Sequence, residues 1–161
     1  MKLFDVNVLV YAYREDAVHH TACREFVERT IAEPEAFGLP PIVLSGFLRI
    51  TTHRKIFKTP SPLSGAVEFV DAILHQPHAI SVRPGPRHWN LFIRLSTEAS
   101  ATGNLIPDAY IAAIAIEAGC DLVTTDKDFA RFPSLKCIDP LVDHESRGGQ
   151  LPSSATKGEL L

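Results

Sequence analysis

Cysteine, surplus positive charge and long apolar runs are all scarce in this chain of 161 residues. Its three cysteines, Cys23, Cys120 and Cys137, include no Cys-x-x-Cys pair. Neither a disulfide framework nor a thiolate zinc site is expected, and a reducing compartment is. The histidines give no zinc set either: His19 and His20 fall on a polar helix, His75 and His78 are split by Pro77, and none has a partner at zinc spacing. A net charge of -3 excludes a surface coated in basic residues, so any contact with nucleic acid must come from a local patch. No apolar stretch approaches the ~18 residues of a membrane span, and Asp5 interrupts the place where a signal peptide would run unbroken. The expectation is a soluble, cytoplasmic protein with no membrane contact. No internal repeat is present.

What is there is 45% apolar sequence, enough for one domain with a real core and too little for two ordinary ones. Residues 2–6 read as a buried strand and 7–13 as a short helix opening on Asn7 as a capping residue. The stripe Ala22, Cys23, Phe26, Val27 and Ile31 predicts a helix over about 16–32, closed by Pro34. Residues 37–39 read as a short strand, and Pro40-Pro41 opens a helix that runs through Ile50. A helix ending near Leu74, a strand at 79–82 and an amphipathic helix at 87–99 follow. Asn104 to Pro107 reads as the loop into the most apolar helix, which opens at Asp108 and stops at Gly119. Then come a strand at 121–125, a turn at 128–132 and a last strand near 135–138. This alternation predicts an α/β fold, a central and mostly parallel sheet with helices on both faces. The domain is expected over 1–143. The Ser, Gly, Gln, Glu and Lys-rich stretch at 144–161 reads as a flexible C-terminal tail.

Asp5 ends the first strand, Asp108 opens the apolar helix and Asp126 follows the strand at 121–125. In an open parallel sheet, strand carboxyl ends and helix amino ends share one edge, where such sheets bind ligands. Each acid has an ordinary explanation taken alone. Asp108 suits a helix dipole, Asp126 and Asp128 suit a turn, and Asp5 must be paired or lie at an exposed edge. Three acids from separate segments at one edge repel unless protons or a cation offset them, and a hard divalent ion such as Mg²⁺ or Mn²⁺ takes oxygen ligands of this kind. A basic run, Arg49, Arg54, Lys55 and Lys58 with His53 and Phe57 among them, is either a solvated helix end or a patch for nucleic acid.

The segments that carry these residues resemble, in order, four motifs of the PIN domain, specifically of its VapC-type toxin ribonucleases. They are Asp5-Val6-Asn7-Val8-Leu9-Val10-Tyr11-Ala12, Phe47-Leu48-Arg49-Ile50-Thr51-Thr52, Asp108-Ala109-Tyr110-Ile111-Ala112-Ala113 and Thr124-Thr125-Asp126-Lys127-Asp128-Phe129. The resemblance extends from Asp5 to about Pro140. It implies a Mg²⁺-dependent endoribonuclease in which Mn²⁺ substitutes, acting as the toxin of a VapBC-type toxin–antitoxin system. A homodimer inhibited by a cognate VapB-type antitoxin is implied as well. Asp5, Asp108 and Asp126 then become catalytic residues and metal ligands, with Asp128 or an ordered water completing the ion's shell. Asn7, Thr124 and Arg49 would orient water or substrate, and Arg54, Lys55 and Lys58 would hold the RNA backbone. Transfer or ribosomal RNA is the substrate class this suggests. A groove along the helices at 16–32 and 42–57 would take an antitoxin helix, and an antitoxin arginine among the acids would displace the metal.

One departure stands out. Many PIN nucleases carry a glutamate just ahead of the Phe-Leu-Arg segment, where this chain has Gly46. Glycine inside a helix costs roughly 1 kcal/mol against alanine, so the position reflects either close packing or altered metal binding. The second option leaves an alternative reading, a non-catalytic module that binds RNA or antitoxin. Two other small α/β classes fit less well. A response-regulator phosphoacceptor needs an acidic pair beside its acceptor, and a haloacid-dehalogenase-type phosphatase needs an aspartate where Asn7 stands.

Overall fold

A computed structural model describes residues 1–148. Its framework is a sheet of five strands, β1 (Lys2–Phe4), β2 (Phe37–Gly38), β3 (Ala79–Ile80), β4 (Asp121–Val123) and β5 (Cys137–Ile138), in the order β3-β2-β1-β4-β5. Every neighbouring pair is parallel, so the predicted mostly parallel sheet is parallel throughout. Leu3, Phe4, Phe37, Leu122 and Val123 are wholly buried in its centre, as expected where helices cover both faces. The helices are α1 (Val6–Tyr13), α2 (His20–Ala32), α3 (Pro41–Thr51), α4 (Leu63–Leu74), α5 (His88–Glu98), α6 (Leu105–Ala118) and α7 (Pro140–Ser146). The order reverses direction at β1 and β4, and the crevice outside their carboxyl ends is where an open sheet of this kind receives a ligand.

Three local departures from the sequence reading bear on the site. First, α1 is capped by Asp5 and not by Asn7: the Asp5 carboxylate accepts a hydrogen bond of 2.6 Å from the Val6 amide. Second, α6 starts at Leu105, so Asn104 is its cap and Pro107 lies in the first turn, where a missing N–H costs nothing. Asp108 is thereby set among the free amides of that turn. The helix stops where predicted, at Gly119 in the left-handed region with φ of 65°. Third, α2 begins only at His20, because Arg14 folds back on Asp16 through bonds of 2.8 and 2.6 Å and turns the chain first.

The chain also stays helical past the expected boundary at residue 143. Asp139 caps α7 by accepting from the Leu141 amide at 2.9 Å, and Arg29 of α2 pairs with Asp143. The rest of the expected tail, 149–161, lies outside the described residues. Among the described residues no helix is long and apolar enough to cross a membrane. Cys23, Cys120 and Cys137 are free thiols, the first two buried and the third exposed.

Candidate active site

The parallel ladder carries two functional segments to one level. The Asp5 amide donates to Val123 O at 3.0 Å, and the Thr124 amide to Ile138 O at 3.0 Å. Asp5 therefore leaves β1 beside Thr124 leaving β4. Thr124, itself buried, joins the parts: its hydroxyl donates to Asp5 Oδ2 at 2.8 Å and accepts from the Asp126 amide at 3.0 Å. Asn7 Nδ2 approaches the same oxygen at 3.5 Å. Asp126 then caps the following 3-10 turn, Lys127–Arg131, by accepting from the Asp128 amide at 2.9 Å.

Asp5 is only 5% exposed. Burial pushes its carboxyl up to about 6, against the pull of its bonds from Thr124 and Val6, and the charge on Asp126 adds to the rise. Asp108, half-buried in the first turn of α6, is pushed up to about 7, by burial first and then by the charges of Asp5, Asp126 and Asp128. Four acids from three segments thus sense one another. Such repulsion is unfavourable in the folded state and is relieved by protons or by a cation.

The donor set suits a hard divalent ion. Asn7 Oδ1 is buried with no hydrogen-bond partner, and an oxygen acceptor left alone beside two carboxylates of raised pKa is a place where positive charge is missing. Among the described residues no three His, Cys, Asp or Glu side chains close on one point as a full cage would. A divalent ion held through one or two carboxylates, with water at its other positions, is compatible with that spacing. Beside the acids opens a cleft of about 540 Å³, lined by Thr124, Asp126, Lys127, Phe129, Cys137 and Asp139 among others.

The PIN domain family matches residues 2–135 of the chain. The chain belongs to the PIN-domain family, in its VapC branch. It is 47% identical over 140 residues to ribonuclease VapC25 of Mycobacterium tuberculosis, covering 87% of this chain and 99% of that protein. It is 43% identical to VapC ribonuclease Mb2897 of Mycobacterium bovis, covering 88% and 96%. Among solved structures, the Rickettsia felis VapBC2 complex bound to a promoter DNA fragment superposes with a TM-score of 0.64 at 20% identity, over 86% of this chain and 97% of that one. A Klebsiella pneumoniae toxin–antitoxin complex gives 0.61 at 19%, over 87% and 98%. At those identities the two structures speak for the fold alone.

In this PIN domain the departure at Gly46 has a packing cause. A Cβ there would stand 2.9 Å from Val6 Cγ2, so α3 crosses α1 at the residue next to Asp5, and Val6 occupies the space that a side chain at 46 would enter. Arg49, three residues on and exposed, follows Gly46 along the helix. Arg54, Lys55 and Lys58 are exposed on the loop after α3 and form no ion pair among the described residues. Arg14 fastens that loop by donating to Thr59 O and Ser61 Oγ at 3.0 Å each, with Phe57 4.1 Å under its guanidinium. Sequence reasoning missed this clamp. It also missed Lys127, a cation in the cleft whose signal was its place between Asp126 and Asp128.

Proposed function

We propose that this VapC-type PIN domain is the toxin of a toxin–antitoxin pair and hydrolyses RNA phosphodiester bonds with a divalent ion, Mg²⁺ with Mn²⁺ as substitute, held by Asp5, Asp108 and Asp126. The observation that carries the reading is the network in which Thr124 joins Asp5 and the Asp126 turn beside the unpartnered Asn7 Oδ1, with Asp108 near enough for both acids to raise its carboxyl. When bound, the ion supplies charge neutralisation, a site for the scissile phosphate and acidification of a water. Asp5 is the fixed member, locked by Thr124 and Val6. Asp126, exposed on the turn it caps, would be a second ligand, and Asp128 or a water would complete the set. Asn7 Oδ1 accepts from a water and so aims one of its lone pairs. Arg49 orients the phosphate, and Arg54, Lys55 and Lys58 hold the RNA backbone beyond it.

The names of the relatives, all VapC ribonucleases, favour turnover over the non-catalytic alternative, and the Val6 contact gives Gly46 a packing reason separate from metal binding. The partner is a VapB-type antitoxin, which also appears in the neighbouring complex structures as part of VapBC. An antitoxin helix has exposed apolar residues to cover beside α3 and α4, including Ile56 and Leu63. Trp89 and Ile93, one turn apart on α5 and exposed, offer a face for a second copy. Three free thiols agree with a reducing cytoplasm. Transfer and ribosomal RNA are the candidate substrates, read at single-stranded segments. Cleavage of a total-RNA pool by the purified protein tests the reading: discrete products with Mg²⁺ or Mn²⁺, absent with EDTA and in Asp5→Asn, are expected. Products that persist in either control refute it.

A further inference from the structure

The same sheet edge carries a second cleft, on the side away from β4. Leu3 of β1 pairs with Gly38 of β2, and Gly38 with Ile80 of β3. Past the ladder the Leu39 amide still donates to Ile80 O at 2.9 Å, a Cβ on Gly38 would stand 2.8 Å from Val82 Cγ2, and Arg83 follows Val82. Tyr110, two residues after Asp108 on α6, links this end of the sheet to the acids. There a cleft of about 300 Å³ is lined by Pro41, Ile42, Arg83, Pro84, Tyr110 and Ile114, at the small end of the range that ligand clefts occupy.

This cleft is built, not merely left over. Glu117 of α6 reaches across to accept from the Gly85 and Arg87 amides at 2.7 Å each. A Cβ on Gly85 would stand 2.7 Å from Glu117 Oε1, so a side chain there would shift the carboxylate from its present seat. Pro84 and Pro86 stiffen the same five residues. Opposite, Tyr110 is held edge-on against His88 and Phe92 at 4.2 and 5.4 Å between ring centres, and the His88 ring bonds to its carbonyl at 3.1 Å. Arg83, presented from this fixed loop, is exposed and has no carboxylate partner among the described residues.

A free guanidinium over a small floor of proline, aliphatic and aromatic side chains matches one chemistry, a nucleotide: the fork takes the phosphate and the floor takes a base. We propose that this cleft receives an unpaired nucleotide of the RNA close to the scissile phosphate, with its base against Ile42, Pro84 and Tyr110 and its phosphate on Arg83. The proposal rests on the ribonuclease reading above and adds a specificity subsite to it. The cleft is too small for a protein helix, and a purely apolar ligand would leave the arginine unused.

The test is binding of a short unstructured RNA, with 2-aminopurine or an abasic residue placed at each position in turn, to full-length Asp5→Asn protein that cannot cleave it. One position near the cut is expected to show quenched 2-aminopurine on binding and to lose about tenfold in affinity when abasic. In the same background Arg83→Gln is expected to weaken binding several-fold and to lower the slope of log affinity against log salt by about 0.7, one phosphate contact to a single strand. Arg83→Lys is expected to keep that slope. The melt of Arg83→Gln should match its parent, since the side chain is exposed and unpaired. RNA bound and cleaved by the wild-type protein, with Arg83→Gln unchanged in affinity and slope, overturns the subsite and leaves the nuclease standing. RNA neither bound nor cleaved by the wild-type protein overturns both.

Discussion

The two raised carboxyls make the metal-free protein less stable as pH rises, which is the reverse of ordinary acid denaturation. Asp5 sits at about 6 and Asp108 at about 7 in the fold, against 3.8 for a free aspartate. Between the unfolded and folded values the folded chain holds more protons than the unfolded one, so stability falls with pH across that window. It is fully present below about pH 4, and its loss is complete by about pH 7. From pH 5 to pH 8 Asp5 passes about one unit of its window and Asp108 about two, at about 1.4 kcal/mol per unit. That sums to about 4 kcal/mol, and to about 3 once the repulsion shared by the two values is counted once and half-buried Asp108 is discounted for solvent screening. For a chain of this size the drop in melting temperature is about 6 to 12 °C. The assay is a thermal melt in EDTA at half-unit steps of pH. Asp108→Asn should remove the part of the slope between pH 6 and 7, and Mg²⁺ or Mn²⁺ should restore more stability at pH 8 than at pH 5, because protons and metal compete for the same oxygens. A melting temperature in EDTA that is flat or rises from pH 5 to 8 would refute the burial and coupling of these two acids.

Thr124→Val removes the hydroxyl that serves Asp5 and the Asp126 amide together. It should cost about 2 to 3 kcal/mol by denaturant titration and lower RNA cleavage by at least tenfold, whereas Thr124→Ser should retain most of both; a Val variant as active as the parent would show that Asp5 needs no such anchor. Gly46→Ala drives a methyl to 2.9 Å from Val6 Cγ2 and should cost about 1 to 3 kcal/mol, despite alanine's better helix propensity. Adding Val6→Ala should recover part of that loss, and additive costs in the pair would disprove the contact.

The fold was legible because its signals are periodic and repeated. Strands bounded by Pro, Gly and Asp, and helices with stripes at spacings of three and four, leave few arrangements of this chain other than a parallel sheet covered on both faces. The acids were legible for a related reason: Asp5, Asp108 and Asp126 each fall where a strand ends or a helix begins, and topology alone gathers such positions at one edge. What the sequence hid is pairwise contact between distant residues. Nothing in the spacing says that Thr124 would hold Asp5, 119 residues away, or that Glu117 would fasten the loop at Gly85. Both glycines illustrate the point. Read along the chain, Gly46 is a missing glutamate and Gly85 gives no signal at all; in space each is where one partner, Val6 or Glu117, makes its close approach. A glycine inside a helix or beside a proline is therefore ambiguous in sequence because its reason lies in another element. Here the two reasons sit on either side of the same acidic edge, one next to Asp5 and one behind Arg83. The edge is thus shaped by what glycine leaves room for as much as by the acids it displays.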